Sequence, residues 1–220
     1  MGGWNMYKII LTLMLLIALT NSFSLARVES PLDLVNSGIE LINQDKYDEA
    51  IVYFDKAIEV APNYSDAWYN KGLVLFYKAQ DEEAIKCFDK TLELDSRYTY
   101  AWNGKGLCLY YQSKYEEALK CFDKALEINQ RYSYAWHNKG RTLQDQEKYE
   151  EALTCFDKAI ELDPQYIYNW YYKGITLHKN GKFQDAIICF DRALELDPEY
   201  EDAKKAREDS LKIQQKSGKP

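Results

Sequence analysis

Histidine is scarce in this 220-residue chain, and its two histidines, His137 and His178, lie far apart in the sequence. The five cysteines form no CxxC pair, and none of them stands at metal-ligand spacing from a histidine. Metal sites in proteins are usually built from closely spaced cysteine and histidine ligands. We therefore expect no metal site and no other cofactor.

The sequence also lacks the short motifs that mark many active sites. It contains no glycine-rich phosphate loop, no GxSxG elbow and no HExxH motif. The Gly104-Lys105-Gly106 triplet lies inside a predicted helix, and acid pairs such as Glu116-Glu117 recur at predicted helix starts, where they complement the helix dipole. We therefore predict that the protein is not an enzyme.

An excess of positive charge is missing as well. The net charge is −7, from 28 basic and 35 acidic residues, and the basic residues are spread through the chain. This distribution argues against a nucleic-acid or anionic-membrane surface. Because 46% of the residues are hydrophobic, the chain has enough apolar material for a core. A protein or peptide is the more plausible partner.

Long apolar runs are absent except near the amino terminus, where Lys8 precedes the stretch Ile9 to Leu19 and the small-residue site Ser24-Leu25-Ala26 follows. This order predicts a signal peptide over residues 1–26 and an exported protein that is secreted, periplasmic or on the cell surface. The alternative is an uncleaved membrane anchor, although spanning a bilayer takes about 20 apolar residues. Membrane contact is expected only through residues 1–26.

Residues 27–30 form a predicted linker to the first helix. Ser30 is expected to cap this helix, with Pro31 at its first position.

Four of the five tryptophans are spaced with strict regularity, and other residues follow the same 34-residue period. With Ser65 as position 1 of a unit, position 4 is tryptophan at Trp68, Trp102, Trp136 and Trp170. Position 8 is glycine at Gly72, Gly106, Gly140 and Gly174. Position 20 is alanine at Ala50, Ala84, Ala118, Ala152 and Ala186, and position 24 is phenylalanine at Phe54, Phe88, Phe122, Phe156 and Phe190.

This pattern of Trp, Gly, Ala and Phe resembles the tetratricopeptide repeat. The resemblance implies an all-α, right-handed α-solenoid of tandem helix hairpins. Its five repeats would be residues 31–64, 65–98, 99–132, 133–166 and 167–200. Residues 201–216 would form a polar capping helix and residues 217–220 a frayed tail.

The recurrent tryptophans and glycines are assigned to the fold. Glycine inside a helix costs roughly 1 kcal/mol relative to alanine, so its recurrence indicates a close helix contact. We expect the alanine at position 20 to lie opposite it, with tryptophan and phenylalanine filling the space on either side.

The resemblance places the first helix of each repeat along a concave groove and predicts which side chains face it. The candidate peptide-binding residues are Tyr69, Phe76, Tyr77, Tyr100, Asn103, Tyr110, Tyr111, Tyr134, His137, Arg141, Tyr171 and His178. Tyrosine offers a large contact area and a hydroxyl for hydrogen bonding, so a peptide segment is the expected ligand. The alternative is that some of these tyrosines only cover neighbouring helices. The carboxylate clamp of chaperone-binding relatives is not expected, because Val35 and Ile39 occupy its first-repeat positions.

Four cysteines share position 23, at Cys87, Cys121, Cys155 and Cys189. Neighbouring helices lie about 8–10 Å apart, too far for a disulfide between equivalent positions. Free, partly buried thiols are therefore expected. For Cys108, at position 10, a disulfide to one position-23 cysteine is the alternative.

These features predict a non-catalytic scaffold or adaptor that binds a peptide segment of another protein in its groove. One alternative is a membrane-tethered accessory subunit of an envelope assembly or secretion complex. Another is a regulatory subunit of an enzyme complex.

Overall fold

The computed structural model describes residues 29–217, and the predicted signal peptide or anchor lies outside this range. Residues 29–217 form eleven α-helices and no strand. Their bounds are α1 Pro31–Ile42, α2 Tyr47–Val60, α3 Ser65–Tyr77, α4 Asp81–Leu94, α5 Thr99–Tyr111, α6 Tyr115–Ile128, α7 Ser133–Asp145, α8 Tyr149–Leu162, α9 Ile167–Lys179, α10 Phe183–Leu196 and α11 Glu201–Ser217.

The helices pair into five antiparallel hairpins, α1 with α2 through α9 with α10, and each hairpin packs on the next. Helix α11 packs on α10 and α9 at the carboxyl-terminal end. The architecture is the predicted right-handed α-solenoid. Because each repeat contacts mainly its neighbours, the core is a row of linked clusters rather than one central mass.

The start of α1 follows directly from its sequence. The Ser30 hydroxyl accepts a hydrogen bond from the Asp33 amide at 3.1 Å, and the Asp33 carboxylate accepts one from the Ser30 amide at 3.3 Å. This reciprocal capping box satisfies two amides that a helix start otherwise leaves unpaired. Pro31 occupies the first helical turn, as predicted.

The corner inside each hairpin uses one residue with left-handed backbone conformation. Four of the five are not glycine, with φ between 55° and 60° at Asp45, Ala79, Ser113 and Glu147, and the fifth is Gly181. The amide after each of them donates to a carbonyl five residues back at 2.9 Å, as from Gln80 to Leu75. This is a Schellman closure, which ends the first helix and turns the chain into the second.

The close contact at the repeated glycine is made by phenylalanine, so the expectation of alanine as its nearest neighbour was wrong. A Cβ built on Gly106 would lie 2.6 Å from Cε1 of Phe122, and the same ring position crowds Gly72, Gly140 and Gly174. The position-24 phenylalanines are fully buried. The ring fills the hairpin interior so completely that position 8 has no room for a methyl group.

The four repeated tryptophans are half-buried and hold the turn between repeats. Each indole Nε1–H donates to the backbone carbonyl six residues earlier. The acceptors are Pro62 for Trp68 at 2.9 Å, Ser96 for Trp102 at 3.0 Å, Gln130 for Trp136 at 2.9 Å and Pro164 for Trp170 at 3.0 Å. Each indole therefore packs against its neighbours and also makes a hydrogen bond that fixes the path of the chain into the next hairpin.

A ladder of ion pairs links successive repeats. The lysine at position 7 of one repeat contacts the aspartate at position 25 of the repeat before it. The pairs are Lys71–Asp55 at 2.5 Å, then Lys105–Asp89, Lys139–Asp123 and Lys173–Asp157 at 2.6 Å each. Arg207 of α11 pairs with Asp191 in the same way. Such half-exposed pairs contribute little stability individually, but their spacing matches the register of the stack.

All five cysteines are free and buried, with 0–5% of the residue exposed, which is deeper than the partial burial that was expected. No bridge joins Cys108 to another cysteine. Burial raises the pKa of the four position-23 thiols to about 11 and that of Cys108 to about 12. These thiols are protonated at neutral pH and act as small apolar core groups.

Within residues 29–217, no group of three or more histidine, cysteine or carboxylate side chains is placed to hold a metal ion. Nor does any helix in this range combine the length and apolar character that crossing a bilayer requires.

Candidate functional site

The first helices of the hairpins form the inner face of the solenoid. Helices α1, α3, α5, α7, α9 and α11 each contact the next in this series, whereas the second helices of adjacent hairpins make no such contact in the part of the chain described. Elements on the inside of a curved stack lie closer together than those on the outside. The first helices therefore line the concave surface.

A pocket of about 400 Å³ opens on this surface between α3, α5 and α7. It brings together nine of the predicted groove residues: Tyr69, Phe76, Tyr77, Tyr100, Asn103, Tyr111, Tyr134, His137 and Arg141. Position-34 tyrosines from the turns between repeats, Tyr132 and Tyr166, complete its wall. These two were not among the predicted groove residues, although tyrosine recurs at position 34 of every repeat.

Three predicted groove residues lie outside this pocket. The Tyr110 hydroxyl donates to the Asp145 carboxylate at 2.6 Å. The Tyr171 ring packs 5.0 Å from that of Tyr200, and His178 Nδ1 lies 2.7 Å from the Ser210 hydroxyl of α11. The last two side chains therefore contact the carboxyl-terminal end of the stack.

Tyrosine rings form a continuous row along one edge of the groove. The order of contact is Tyr98, Tyr100, Tyr132, Tyr134, Tyr166, Tyr168 and Tyr200, with neighbouring centroids 5.1–6.3 Å apart. Tyr100, Tyr134 and Tyr168 are about half exposed, whereas the position-34 members are more covered. The covered rings support the exposed ones, which remain available for contact.

Two predicted groove residues lie deeper than the groove surface. Asn103 is 7% exposed and accepts a hydrogen bond from Asn138 at 2.9 Å. His137 is 4% exposed, and its Nδ1 lies 2.8 Å from the fully buried Asn169 side-chain oxygen. Burial lowers the pKa of His137 to about 4, so the ring is neutral at pH 7. Both residues form the floor of the pocket and support its lining.

Arg141 is the only cation in the pocket lining. Its guanidinium carbon lies 5.1 Å from the ring centroid of Tyr110 and 4.7 Å from that of Tyr172. One terminal nitrogen donates to the Tyr110 hydroxyl at 3.3 Å. Its Nε is buried without a hydrogen-bond partner. The pocket thus joins an aromatic wall to one partly desolvated positive charge.

Comparison with known proteins identifies the repeat. Two tetratricopeptide repeat family models match residues 98–165 and 139–209, and a model described as anaphase-promoting complex, cyclosome, subunit 3 matches residues 43–125. An uncharacterised protein of Methanocaldococcus jannaschii is 50% identical over 34 residues, a match that covers 16% of this chain and 40% of that protein.

Several solved structures share the fold. YrrB, described as a tetratricopeptide repeat protein with an unusual peptide-binding site, is 24% identical, with a TM-score of 0.64 over 86% of this chain and 97% of that one. The type IV pilus biogenesis factor PilW has a TM-score of 0.74 at 18% identity, and Pseudomonas aeruginosa pilF 0.69 at 21%. Each of these two matches covers 86% of this chain and 93% of the other.

The helical hairpins, their period and these matches define an α-solenoid repeat protein. The chain belongs to the tetratricopeptide repeat family. Proteins of this family are interaction scaffolds that bind protein or peptide partners and are typically non-catalytic.

Proposed function

We propose that this protein is a non-catalytic scaffold or adaptor that binds a peptide segment of a partner protein against α3, α5 and α7. The observation that carries the proposal is the pocket on the concave face, where Tyr77, Tyr100, Tyr111 and Tyr134 are each about half exposed. Clustered exposed aromatic surface in a concavity is typical of an interaction site. Tyrosine adds contact area at a low cost in side-chain entropy and can hydrogen-bond a peptide backbone.

The size and shape of the site favour a peptide over a folded domain. A volume of about 400 Å³ accommodates a few side chains. The exposed tyrosines continue beyond the pocket along the groove, to Tyr168 on α9. An extended or helical segment could place successive side chains along this row.

Site-specific photocrosslinking in the protein's own host tests this proposal. A benzophenone amino acid is introduced in place of Tyr100 or Tyr111 in the groove, and in place of Ile188 on the second helix α10 as a control. Ile188 matches Tyr111 in exposure, at 57% against 56%, but lies outside the groove pocket. We expect specific polypeptide crosslinks from positions 100 and 111 and not from 188. Equal crosslinking at all three positions would contradict groove binding.

We also propose that the chain is exported, on the basis of Lys8, the apolar run Ile9 to Leu19 and the Ser24-Leu25-Ala26 site. Amino-terminal sequencing of the protein purified from its host tests this: Arg27 as the first residue indicates cleavage and release. An intact amino terminus in the membrane fraction would instead favour a tethered subunit of an envelope assembly.

A further inference from the structure

We infer that Arg141 sets the ligand specificity of the groove by binding the carboxylate of an aspartate or glutamate side chain inside the bound peptide. This inference rests on the proposed peptide-binding function and adds a chemical requirement to it. The ligand is then a peptide segment that carries an acidic side chain flanked by aromatic or apolar residues.

Arg141 stands where the other repeats carry an apolar side chain. Position 9 is Ile39, Leu73, Leu107 and Ile175 in the remaining four repeats. A packing role at this position is therefore met by isoleucine or leucine. The cation in the fourth repeat needs a different explanation.

Aromatic rings and a tyrosine hydroxyl surround Arg141, and no carboxylate pairs with it directly. The guanidinium donates a hydrogen bond to the Tyr110 hydroxyl. Asp145, one turn further along α7, accepts from Tyr110 instead. Among the described residues no carboxylate lies within 4.0 Å of the guanidinium, whereas Lys139 of the same helix contacts Asp123 at 2.6 Å.

A partly desolvated cation without a directly paired carboxylate is costly, and an incoming anion relieves that cost. Guanidinium matches carboxylate in shape and charge, and a charge-assisted hydrogen bond is about twice as strong as a neutral one. The guanidinium carbon contacts the rings of both Tyr110 and Tyr172, at 5.1 and 4.7 Å from their centroids. The group is therefore held in place before a ligand arrives.

The geometry points to an acid within the peptide rather than to a peptide terminus. Exposed tyrosines lie on both sides of Arg141 along the stack, with Tyr77, Tyr100 and Tyr111 on earlier helices and Tyr168 on a later one. A segment that contacts both sets must continue past Arg141 in both directions. Its carboxylate then comes from a side chain.

Peptide display can test this without knowledge of the natural partner. The full chain is panned against a random 12-residue library fused to the phage coat protein through its carboxyl end, so that no free terminal carboxylate is offered. Arg141→Gln, Arg141→Lys and Lys124→Gln are panned in parallel. Lys124→Gln removes the same charge from α6, where Lys124 pairs with Glu127 outside the pocket. Circular dichroism verifies that each variant is folded.

We expect the unaltered protein and Lys124→Gln to enrich peptides with a glutamate or aspartate flanked by apolar or aromatic residues. Arg141→Gln should enrich apolar peptides without the acid. For a selected synthetic peptide with amidated ends, replacing its acid with the amide should weaken binding by tenfold or more in fluorescence anisotropy. The same peptide change should have little effect on binding to Arg141→Gln. Arg141→Lys should retain only part of the preference, because lysine lacks the planar fork.

The outcomes separate the two proposals. Enrichment without acid preference, or a preference that survives in Arg141→Gln, overturns the role of Arg141 and leaves peptide binding in place. Enrichment only from a second library that displays free carboxyl termini would overturn the assignment to an internal acid. If neither library yields a peptide that binds the unaltered protein, the proposed function itself fails.

Discussion

Individual residues in this protein are constrained by contacts that recur from one repeat to the next. At position 8 the constraint is steric, since the position-24 ring lies where a Cβ would be. At position 4 it includes a hydrogen bond from the indole to the preceding turn. The consequences of these two contacts differ. Loss of the hydrogen bond would loosen a turn, while a larger residue at position 8 would force the hairpin apart.

We predict that Gly106→Ala destabilises the protein even though alanine favours helix by roughly 1 kcal/mol. The added methyl would lie 2.6 Å from the fully buried Phe122 ring, and overpacking a core typically costs about 1–3 kcal/mol. The free energy of unfolding, measured by chemical denaturation, should fall by about 1 kcal/mol. In a Phe122→Leu background the same change should be neutral or stabilising. An equal cost in both backgrounds would show that the ring does not exclude the methyl.

His137 provides a pH-dependent test of the buried polar pair below the pocket. Its pKa in the folded protein is about 4, because of burial, against 6.5 for a free side chain. Between pH 4 and pH 6.5 the unfolded chain therefore binds a proton at this histidine that the folded chain does not bind. The contribution of neutral His137 to stability is fully present above pH 6.5 and is lost as the pH falls. At 1.36 kcal/mol per pKa unit, the loss by pH 5 should be about 2 kcal/mol.

The measurement is the difference in unfolding free energy between pH 7.5 and pH 5, compared with the double variant His137→Tyr with Asn169→Ala. This variant carries the tyrosine and alanine that the second and third repeats have at these positions, Tyr69 and Ala101. For the double variant, the difference in unfolding free energy between pH 7.5 and pH 5 should be smaller by about 2 kcal/mol. Parallel curves would show that His137 is not held neutral by burial.

Much at the residue scale could be predicted from the sequence, because recurrence at a fixed position marks a packing role. That reasoning assigned Trp102, Gly106 and Phe122 to the fold. It could not tell that Phe122 rather than Ala118 is nearest the glycine, since spacing does not give ring orientation. For the same reason it treated Asn103 and His137 as groove-facing, whereas their hydrogen bonds to Asn138 and Asn169 place them in its floor.

Helices in this chain begin and end through different means. Helix α1 has a capping box, but the N-cap residue before each second helix is lysine or glutamine and makes no side-chain cap hydrogen bond. Acids in their first turns, such as Glu116 and Glu117, offset this through the helix dipole, as the sequence predicted. The left-handed residue before each second helix was not predictable, because Asp45, Ala79, Ser113 and Glu147 lack the glycine that usually signals it.

Replacing the left-handed Ala79 with glycine should stabilise the protein. Ala79 has a φ of 55°, a conformation that costs a residue with a side chain of order 1–3 kcal/mol and glycine much less. After the larger entropy of glycine in the unfolded chain is subtracted, we expect a gain of about 0.5–1 kcal/mol in denaturation experiments. Ala61, with a φ of −141°, is the control. There glycine should destabilise. A loss of stability in Ala79→Gly would contradict the strain at this corner.

At the scale of the whole molecule, the repeats form a one-dimensional stack with two different ends. The amino-terminal repeat has Ser30 and Pro31 at its start, and the carboxyl-terminal end is covered by α11. The buried residues of α11 are Ala203 and Ser210, which face the last hairpin and His178. In such a stack each hairpin is stabilised mainly by its neighbours.

Removal of α11 should therefore weaken the last hairpin selectively. We expect amide hydrogen exchange to accelerate in α9 and α10, while α3 to α6 keep most of their protection. The comparison is between the full chain and one ending at Tyr200, measured by mass spectrometry. Uniform acceleration along the chain would show that the stack unfolds as one unit.

The groove itself was only partly predictable from the sequence. The resemblance to a known repeat indicated which helix faces inward, and nine predicted residues do line one pocket. The pairing of charges inside that pocket depends on distances between side chains, and spacing in the sequence does not give these distances. Arg141 makes no direct ion pair with Asp145, which follows it by one helical turn in the sequence, because the Asp145 carboxylate accepts from the Tyr110 hydroxyl instead.

The most direct test of the groove is NMR mapping of the isotope-labelled full chain with a display-selected acidic peptide. We predict that amide shifts concentrate on α5 and α7, around Tyr100, Tyr111 and Arg141, and that the Arg141 side-chain Nε resonance moves with them. Helices α6 and α8, on the outer face, should show little change. Shifts concentrated on α6 and α8, with the Arg141 resonance unmoved, would contradict binding in the concave groove.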